Sequence, residues 1–166
     1  MAMSLVSTVT VGSGGAASIE FTGIAATGKD LLVLVSGRDS AGNQTIFTTL
    51  NGDTTNANYS WRSLVGTGSA ASSSNGASRY SGFFPASTYT ANTFGNTAIY
   101  IANYTANTAK SISIDSVEEN NATSSLQFII AQRWTGTAAI TSVAISVEGG
   151  ISNLAQNSTA SLYIIS

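Results

Sequence analysis

The stretch Ser111-Ile112-Ser113-Ile114-Asp115 alternates polar and apolar side chains without a break. Successive side chains of a β-strand point to opposite faces of the sheet, so Ile112 and Ile114 share one face and the polar groups share the other. An amphipathic α-helix would instead need apolar residues at spacings of three and four. The stretch therefore predicts a strand with one face in a core and the other in solvent.

The same two-residue period recurs along the chain, and turn-forming residues separate the bursts. In Asn51-Gly52-Asp53, for example, Asn and Gly supply the positive φ that tight turns need. No segment shows a helical period, and β-branched residues dominate. We therefore predict an all-β fold, a single antiparallel β-sandwich over residues 1–166 that is jelly-roll-like and has very little helix. The predicted strands cover about residues 4–11, 17–22, 31–37, 44–50, 58–65, 79–84, 97–104, 110–117, 125–134, 140–147 and 159–166.

Three segments depart from this simple pattern. Residues 31–35 and 126–130 are apolar on both faces, which predicts central strands that are covered on both sides. Residues 66–78 are rich in Gly, Ser and Ala and have no apolar period, so we predict a long loop there. The composition leaves open whether this loop is a solvent-exposed flap or is ordered by a neighbouring subunit.

The composition excludes several classes of function. The chain has no His and no Cys, which removes a Ser-His-Asp triad, a thiolate nucleophile and imidazole or thiolate metal ligands. Charged residues make up 8% of the chain and the net charge is -2, whereas about 25% is usual. No electrostatic footprint for nucleic acid is expected from six scattered basic residues, which are Lys29, Arg38, Arg62, Arg79, Lys110 and Arg133.

No stretch approaches the length of an apolar membrane helix, so we expect a soluble protein without a membrane partner. The N-terminal residues 1–8 have neither a basic leader nor a signal-length apolar core. They begin to alternate at once, and we interpret them as part of the mature fold.

An acidic cluster at residues 115–121 contains the adjacent Glu118 and Glu119. Paired carboxylates serve as acid and base in glycoside hydrolysis, but they must converge on one bond. Adjacent residues of a strand point to opposite faces. We therefore interpret the cluster as a polar strand end followed by a turn, and we predict no catalytic residues and no enzymatic activity.

The segment 51–56 is rich in the oxygen-bearing residues that calcium prefers. Its spacing does not match an EF-hand, and a type I′ turn at Asn51-Gly52 is the simpler interpretation. Whether the 51–58 loop binds calcium stays open. We predict no cofactor and no metal ligands, and the residues of any binding site stay unknown.

The aromatic residues fall mostly at strand positions. Such residues usually belong to the core, although an exposed aromatic platform would favour sugar binding. We predict that most are core residues and that one or two are interface anchors. The set is Tyr59, Trp61, Phe83, Phe84, Tyr100, Tyr104 and Trp134.

The run Thr93-Phe94-Gly95-Asn96-Thr97-Ala98-Ile99-Tyr100-Ile101-Ala102-Asn103-Tyr104-Thr105 resembles a family of small structural proteins of tailed bacteriophages. The family pattern has Pro where this chain has Ala25 and Ala102, which implies two less rigid turns or edges. The resemblance covers nearly the whole chain from residue 19. The other segments that agree with it are 19–24, 30–34, 50–53, 58–60, 117–123, 134–141 and 157–163.

The resemblance implies a virion component with a β-sandwich fold and supplies no catalytic motif. We expect a capsid cement, or decoration, protein that binds the major capsid protein on the exterior of the phage head. It would be soluble in the bacterial cytoplasm before assembly, and three-fold capsid positions favour a homotrimer. The short chain has no heptads or shaft repeats of the kind a fibre needs. The alternative is a receptor- or glycan-binding module of a tail fibre or tailspike, for which a host glycan would be the partner.

Overall fold

The structure is a computed structural model that describes residues 2–42, 45–120, 125–150 and 152–166. Twelve strands and two short 3₁₀ turns, Asn56–Asn58 and Glu148–Gly150, make up its regular elements. No α-helix occurs among the described residues. The strands are β1 Met3–Thr10, β2 Ser18–Thr22, β3 Asp30–Gly37, β4 Thr45–Leu50, β5 Tyr59–Gly66, β6 Ala71–Gly76, β7 Tyr80–Phe83, β8 Gly95–Ile101, β9 Lys110–Glu119, β10 Ser125–Trp134, β11 Ser142–Val147 and β12 Thr159–Ile165.

The strands form two antiparallel sheets that pack face to face. The large sheet has eight strands in the order β1-β12-β3-β8-β9-β10-β5-β6, and the small sheet has four in the order β2-β11-β4-β7. The predicted all-β sandwich is therefore confirmed. The core lies between the small sheet and the middle strands of the large one.

Side-chain alternation builds this core as the sequence predicts. In β9, Ile112 and Ile114 are buried, whereas Ser111, Ser113 and Asp115 between them are exposed. The neighbouring strands continue the pattern, because residues paired across a sheet share a face. The large sheet contributes Leu31, Val33, Ile99, Ile101, Phe128 and Ile130 to the core, and the small sheet contributes Ile19, Phe21, Ile46, Leu50, Val143 and Ile145.

The large sheet extends beyond the small sheet at both ends. In β1, every residue except Val9 is exposed. In β6, the first five residues are exposed and Gly76 is half-buried. Both end strands therefore lie largely outside the sandwich and depend on main-chain pairing with one neighbour each.

The prediction of a long loop at 66–78 is wrong, because this segment contains β6. The strand forms a hairpin with β5, and Leu64 pairs with Ser73 and Gly66 with Ala71. Its side chains are small and bury little apolar area, so the main-chain ladder forms the strand without an apolar pattern. The loop proper is the short turn at 67–70.

The prediction that residues 31–35 and 126–130 are covered on both sides is also wrong. Both β3 and β10 lie inside the large sheet with a neighbour on either side. Only one face is covered, however, since Leu34 is 38% exposed and Ile129 is 55% exposed. The apolar residues on the second face belong to an uncovered surface.

A buried arginine fixes the connection from β7 to β8. Arg38 donates hydrogen bonds to the carbonyl oxygens of Ser87, Tyr89, Thr90 and Thr93 at 2.9–3.1 Å. It also donates to the Thr93 hydroxyl at 2.9 Å. Because one rigid guanidinium satisfies these oxygens, the long connection has a defined path without regular structure of its own.

Candidate functional site

The outer face of the large sheet is the surface that points away from the small sheet. Paired residues share a face, and one row across the sheet reads Leu5, Tyr163, Leu32, Tyr100, Ser113, Ala131, Arg62 and Asn75. The next row contains Leu34, Ala98, Asp115, Ile129 and Leu64. Five large apolar side chains on this face are exposed, namely Leu5, Leu34, Leu64, Tyr100 and Ile129. A single exposed apolar side chain is ordinary, but several on one face favour a binding surface. We therefore treat the outer face as the candidate functional site.

Tyr100 lies near the middle of the outer face, and its hydroxyl is anchored. The ring is 37% exposed, and the hydroxyl donates to Asp30 Oδ2 at 2.5 Å. The Asn103 backbone N–H donates to the other carboxylate oxygen at 2.7 Å. The geometry gives an aromatic ring that is held in place while part of its surface faces solvent.

The ionisation of this pair supports the anchoring. Burial alone would raise the pKa of Asp30, but the hydrogen bonds from Tyr100 and Asn103, aided by the charge of Lys29, lower it overall. The hydrogen bond to Asp30 in turn raises the pKa of the Tyr100 hydroxyl. Asp30 is therefore a carboxylate and Tyr100 a neutral donor at neutral pH, so the bond is charge-assisted.

A groove of about 610 Å³ lies beside Tyr100 on the outer face. We call it the Tyr100 groove. Small side chains of Ser111, Ser113 and Ala131 line its floor, and Arg62 and Arg133 line it on the side away from Tyr100. Its volume is in the range of about 300–1,000 Å³ typical of ligand sites.

The two arginines are diagonal neighbours on the outer face. Arg133 on β10 pairs with Ser60, and Arg62 lies two residues further along β5. Diagonal partners of this kind are about 7–8 Å apart at Cα, so both side chains can approach one ligand group. No Asp or Glu belongs to the described lining of the groove. The groove is therefore cationic although the protein carries a net negative charge.

The strand β1 provides a second candidate surface, which we call the β1 edge. One side of β1 pairs with β12, and no described strand pairs with the other. Met3 is 58%, Leu5 57% and Val6 46% exposed. The strand contains no charged residue and no Pro, whereas such residues usually protect exposed edges from pairing with other chains. The β1 edge has main-chain and apolar groups available for another protein.

The 51–58 loop has the predicted turn. Asn51 and Gly52 both have positive φ, and the Asp53 backbone N–H donates to the Leu50 carbonyl at 2.9 Å. These features match a type I′ turn. The prediction of a tight turn at this position is confirmed.

The carboxylate of Asp53, the one acid in that loop, accepts hydrogen bonds from other residues of the protein. Trp134 Nε1 and Asn58 Nδ2 each donate to Oδ2 at 2.8 Å, and the Thr55 backbone N–H donates to Oδ1 at 3.0 Å. The bond from Trp134 has the largest effect in lowering the pKa of Asp53, against the opposing effect of burial. Among the described residues, no group of three or more acidic residues is arranged to hold a metal ion.

The adjacent carboxylates Glu118 and Glu119 point to opposite faces of β9, as the sequence predicts. Glu118 is 2% exposed and points into the sandwich. Neither of its oxygens has a hydrogen bond of good geometry. Burial raises the pKa of Glu118, and the nearby Tyr89 hydroxyl opposes part of that rise. The pair does not converge on a common site.

The aromatic residues divide between core and surface as expected. Tyr59, Phe84, Tyr104 and Trp134 are buried, and Trp61 and Phe83 pack against the core. Tyr100 is the one member of the predicted set with an exposed ring. Its anchor, Asp30, was not among the predicted site residues, because 70 positions separate the two in the sequence. The sequence presents Arg62 and Arg133 only as scattered charges, and it is the register of β5 against β10 that makes them diagonal neighbours.

Comparison with known protein families, curated proteins and solved structures found no match for this chain. None of the helices in the described part of the chain has the length and apolar character needed to cross a lipid bilayer.

Proposed function

We propose that the chain is a structural subunit of a tailed-phage virion, a cement protein that binds the outside of the head and stabilises neighbouring capsid subunits. The observation that supports an assembly role is the β1 edge, an uncharged strand with apolar side chains exposed on both faces. Such an edge promotes association with another chain. The phage context is supported by the resemblance of residues 93–105 to phage structural proteins.

The two ends of the large sheet are suited to a closed ring. A three-fold ring needs two different surfaces on each copy, because its contacts are heterologous. The β1 edge lies at one end of the large sheet and β6 at the other. Neither strand carries a charge, so two copies can meet without repulsion between like charges. In the proposed trimer, the β1 edge of each copy pairs with β6 of the next.

Copy number in the virion tests the proposed location. Heads and tails of the phage that encodes the chain are separated, and the protein is quantified in each fraction by mass spectrometry. A cement protein is expected in hundreds of copies on heads. Detection in the tail fraction alone, or in only a few copies per particle, would overturn the head assignment.

Light scattering tests the proposed contact. The purified protein is expected at about 51 kDa, three times the 16.9 kDa of one chain. Leu5→Glu places a charge on the β1 edge and should shift the mass to that of a monomer. Thr22→Glu adds the same charge on the small sheet and should leave the trimer intact. A trimer that persists in Leu5→Glu would contradict a contact through the β1 edge.

A further inference from the structure

We propose that the Tyr100 groove binds an acidic oligosaccharide, with a sugar ring against Tyr100 and a carboxylate against Arg62 and Arg133. This site does not depend on the proposed place of the protein in the virion. The proposal comes from three properties of the groove, which are a fixed aromatic ring, a floor of small hydroxyl-bearing residues, and two arginines without an acidic neighbour in the lining.

The ring of Tyr100 is held in a fixed position in which a sugar ring can stack on it. The Tyr100 hydroxyl is held by Asp30 at 2.5 Å, so little side-chain freedom is lost when a ligand binds. An aromatic ring presents an apolar face, and the C–H face of a pyranose is also apolar. A sugar placed against Tyr100 buries its apolar C–H face on the aromatic ring. Its hydroxyl groups then point to the floor of the groove and to solvent.

The floor has the length and chemistry for more than one sugar. Tyr100, Ser113, Ala131 and Arg62 lie in one row on consecutive strands. Three strand spacings of about 4.8 Å separate Tyr100 from Arg62, which gives about 14 Å, the length of two to three pyranose rings. The side chains of Ser111 and Ser113 on this floor are exposed. Their hydroxyl groups can bond ligand hydroxyls.

The two arginines at the end of the groove away from Tyr100 favour an anionic ligand. Arg62 Nη1 donates a hydrogen bond to the Trp61 carbonyl at 2.8 Å. The other N–H groups of the guanidinium can donate to a ligand. Guanidinium groups bind carboxylates through paired hydrogen bonds. The repulsion between two arginines on neighbouring strands is also relieved when one carboxylate lies between them. A uronic acid supplies that carboxylate on a sugar ring.

An acidic peptide fits the groove less well. Extended peptides gain most from adding a strand to a free sheet edge. The groove lies over β8, β9, β10 and β5, each of which is paired on both sides. Their main-chain groups are therefore engaged, whereas a hydroxyl-lined floor matches a ligand rich in hydroxyl groups.

Calorimetric titration with trigalacturonate tests the proposal, with the neutral maltotriose and the acidic tripeptide Glu-Glu-Glu as comparison ligands. We expect saturable binding of trigalacturonate and at least about tenfold weaker binding of both comparison ligands, a difference of about 1.4 kcal/mol. The absence of saturation at about 10 mM trigalacturonate, a Kd equivalent to only about 3 kcal/mol, would overturn the proposal. Equal binding of maltotriose would overturn the role of the arginines, and equal binding of the tripeptide would overturn the choice of a saccharide.

Variants locate the site. Arg62→Gln, Arg133→Gln and Tyr100→Leu should each weaken binding about tenfold, in line with the loss of a charge-assisted bond or of ring contact. Tyr100→Phe keeps the ring but loses the anchor to Asp30, so a smaller loss is expected. Arg79→Gln removes a positive charge that lies outside the groove, against Phe47 and Thr49 of the small sheet, and should have little effect on binding. Thermal unfolding of each variant establishes that it is folded, and unchanged binding in folded Arg62→Gln and Tyr100→Leu would place the ligand elsewhere.

Discussion

At the scale of single residues, the buried polar groups of this protein are of two kinds. Arg38 and Lys110 are satisfied by carbonyl oxygens, and Lys110 Nζ donates to those of Ala106, Thr108 and Thr137 at 2.5–3.2 Å. Glu118 is also buried but lacks comparable partners. A buried charge without hydrogen-bond partners is costly, so burial favours the neutral form of Glu118. The protonation of Glu118 should therefore make the stability of the protein depend on pH.

Replacing Glu118 with Gln should change how stability depends on pH. The folded-state pKa of Glu118 is raised by burial, so its favourable contribution is present below the unfolded-state pKa and is lost as pH rises through the folded-state value. The wild-type protein should therefore lose stability as the pH is raised above the ordinary Glu range, and Glu118→Gln should lose less. Urea unfolding at about pH 5 and pH 8 measures this difference.

Glu20→Gln is the matched control, because it makes the same change on an exposed side chain of β2. The two variants should differ most at the higher pH. An identical loss of stability between the two pH values in wild type and Glu118→Gln would contradict a neutral buried Glu118.

At the scale of elements, β7 approaches β9 closely enough to require glycine. Gly82 has φ +105, and a Cβ at this position would overlap the Ser116 side chain. Gly82→Ala should therefore combine backbone strain with steric overlap, for a loss of about 2–4 kcal/mol in the free energy of unfolding. Urea unfolding followed by tryptophan fluorescence provides the measurement.

Gly23→Ala separates the two causes. Gly23 has φ +63, but no neighbouring atom lies within 4 Å of the place that a Cβ would occupy. Its replacement should cost only the backbone strain, about 1 kcal/mol. Equal losses in the two variants would mean that β7 moves away from β9 without cost.

The elements also differ in how far the sequence determines them. The β9 strand was predictable, because Ile112 and Ile114 alternate with polar residues. The β6 strand was not, since Ala71–Gly76 contains only small and polar residues and is held by its main-chain pairing with β5. Because Leu34 and Ile129 are apolar, the sequence predicts that both faces of β3 and β10 are covered. An apolar side chain alone does not distinguish a face that is covered within its own domain from a face that is exposed for a partner.

The candidate site was predictable only in part, for a related reason. An anchoring or binding role for one of the aromatic residues follows from the sequence, but the choice of Tyr100 depends on long-range pairing. Asp30 reaches Tyr100 through the pairing of β3 with β8. Arg62 and Arg133 are brought together by the pairing of β5 with β10. Without the register, neither contact can be assigned.

At the scale of the whole molecule, the low charge should make stability nearly independent of salt. Charged residues are 8% of the chain and the net charge is -2, so there is little long-range repulsion or attraction to screen. We expect the urea midpoint to change by less than about 0.3 M between about 50 mM and about 500 mM sodium chloride, a range over which screening of exposed charges becomes strong. A larger decrease with salt would show that surface ion pairs stabilise the fold.

The pairing of β1 with β12 has a consequence for how the protein is made. Thr8 and Ser161 lie side by side but are 153 residues apart in the sequence. Ribosomes add about 5–20 residues per second, so β1 waits for about 8–30 seconds before its partner strand exists. During that interval an uncharged strand with exposed apolar side chains is unpaired on both sides. Chains growing on one messenger are then close neighbours, and exchange of β1 between them competes with closure of the strand onto its own sheet.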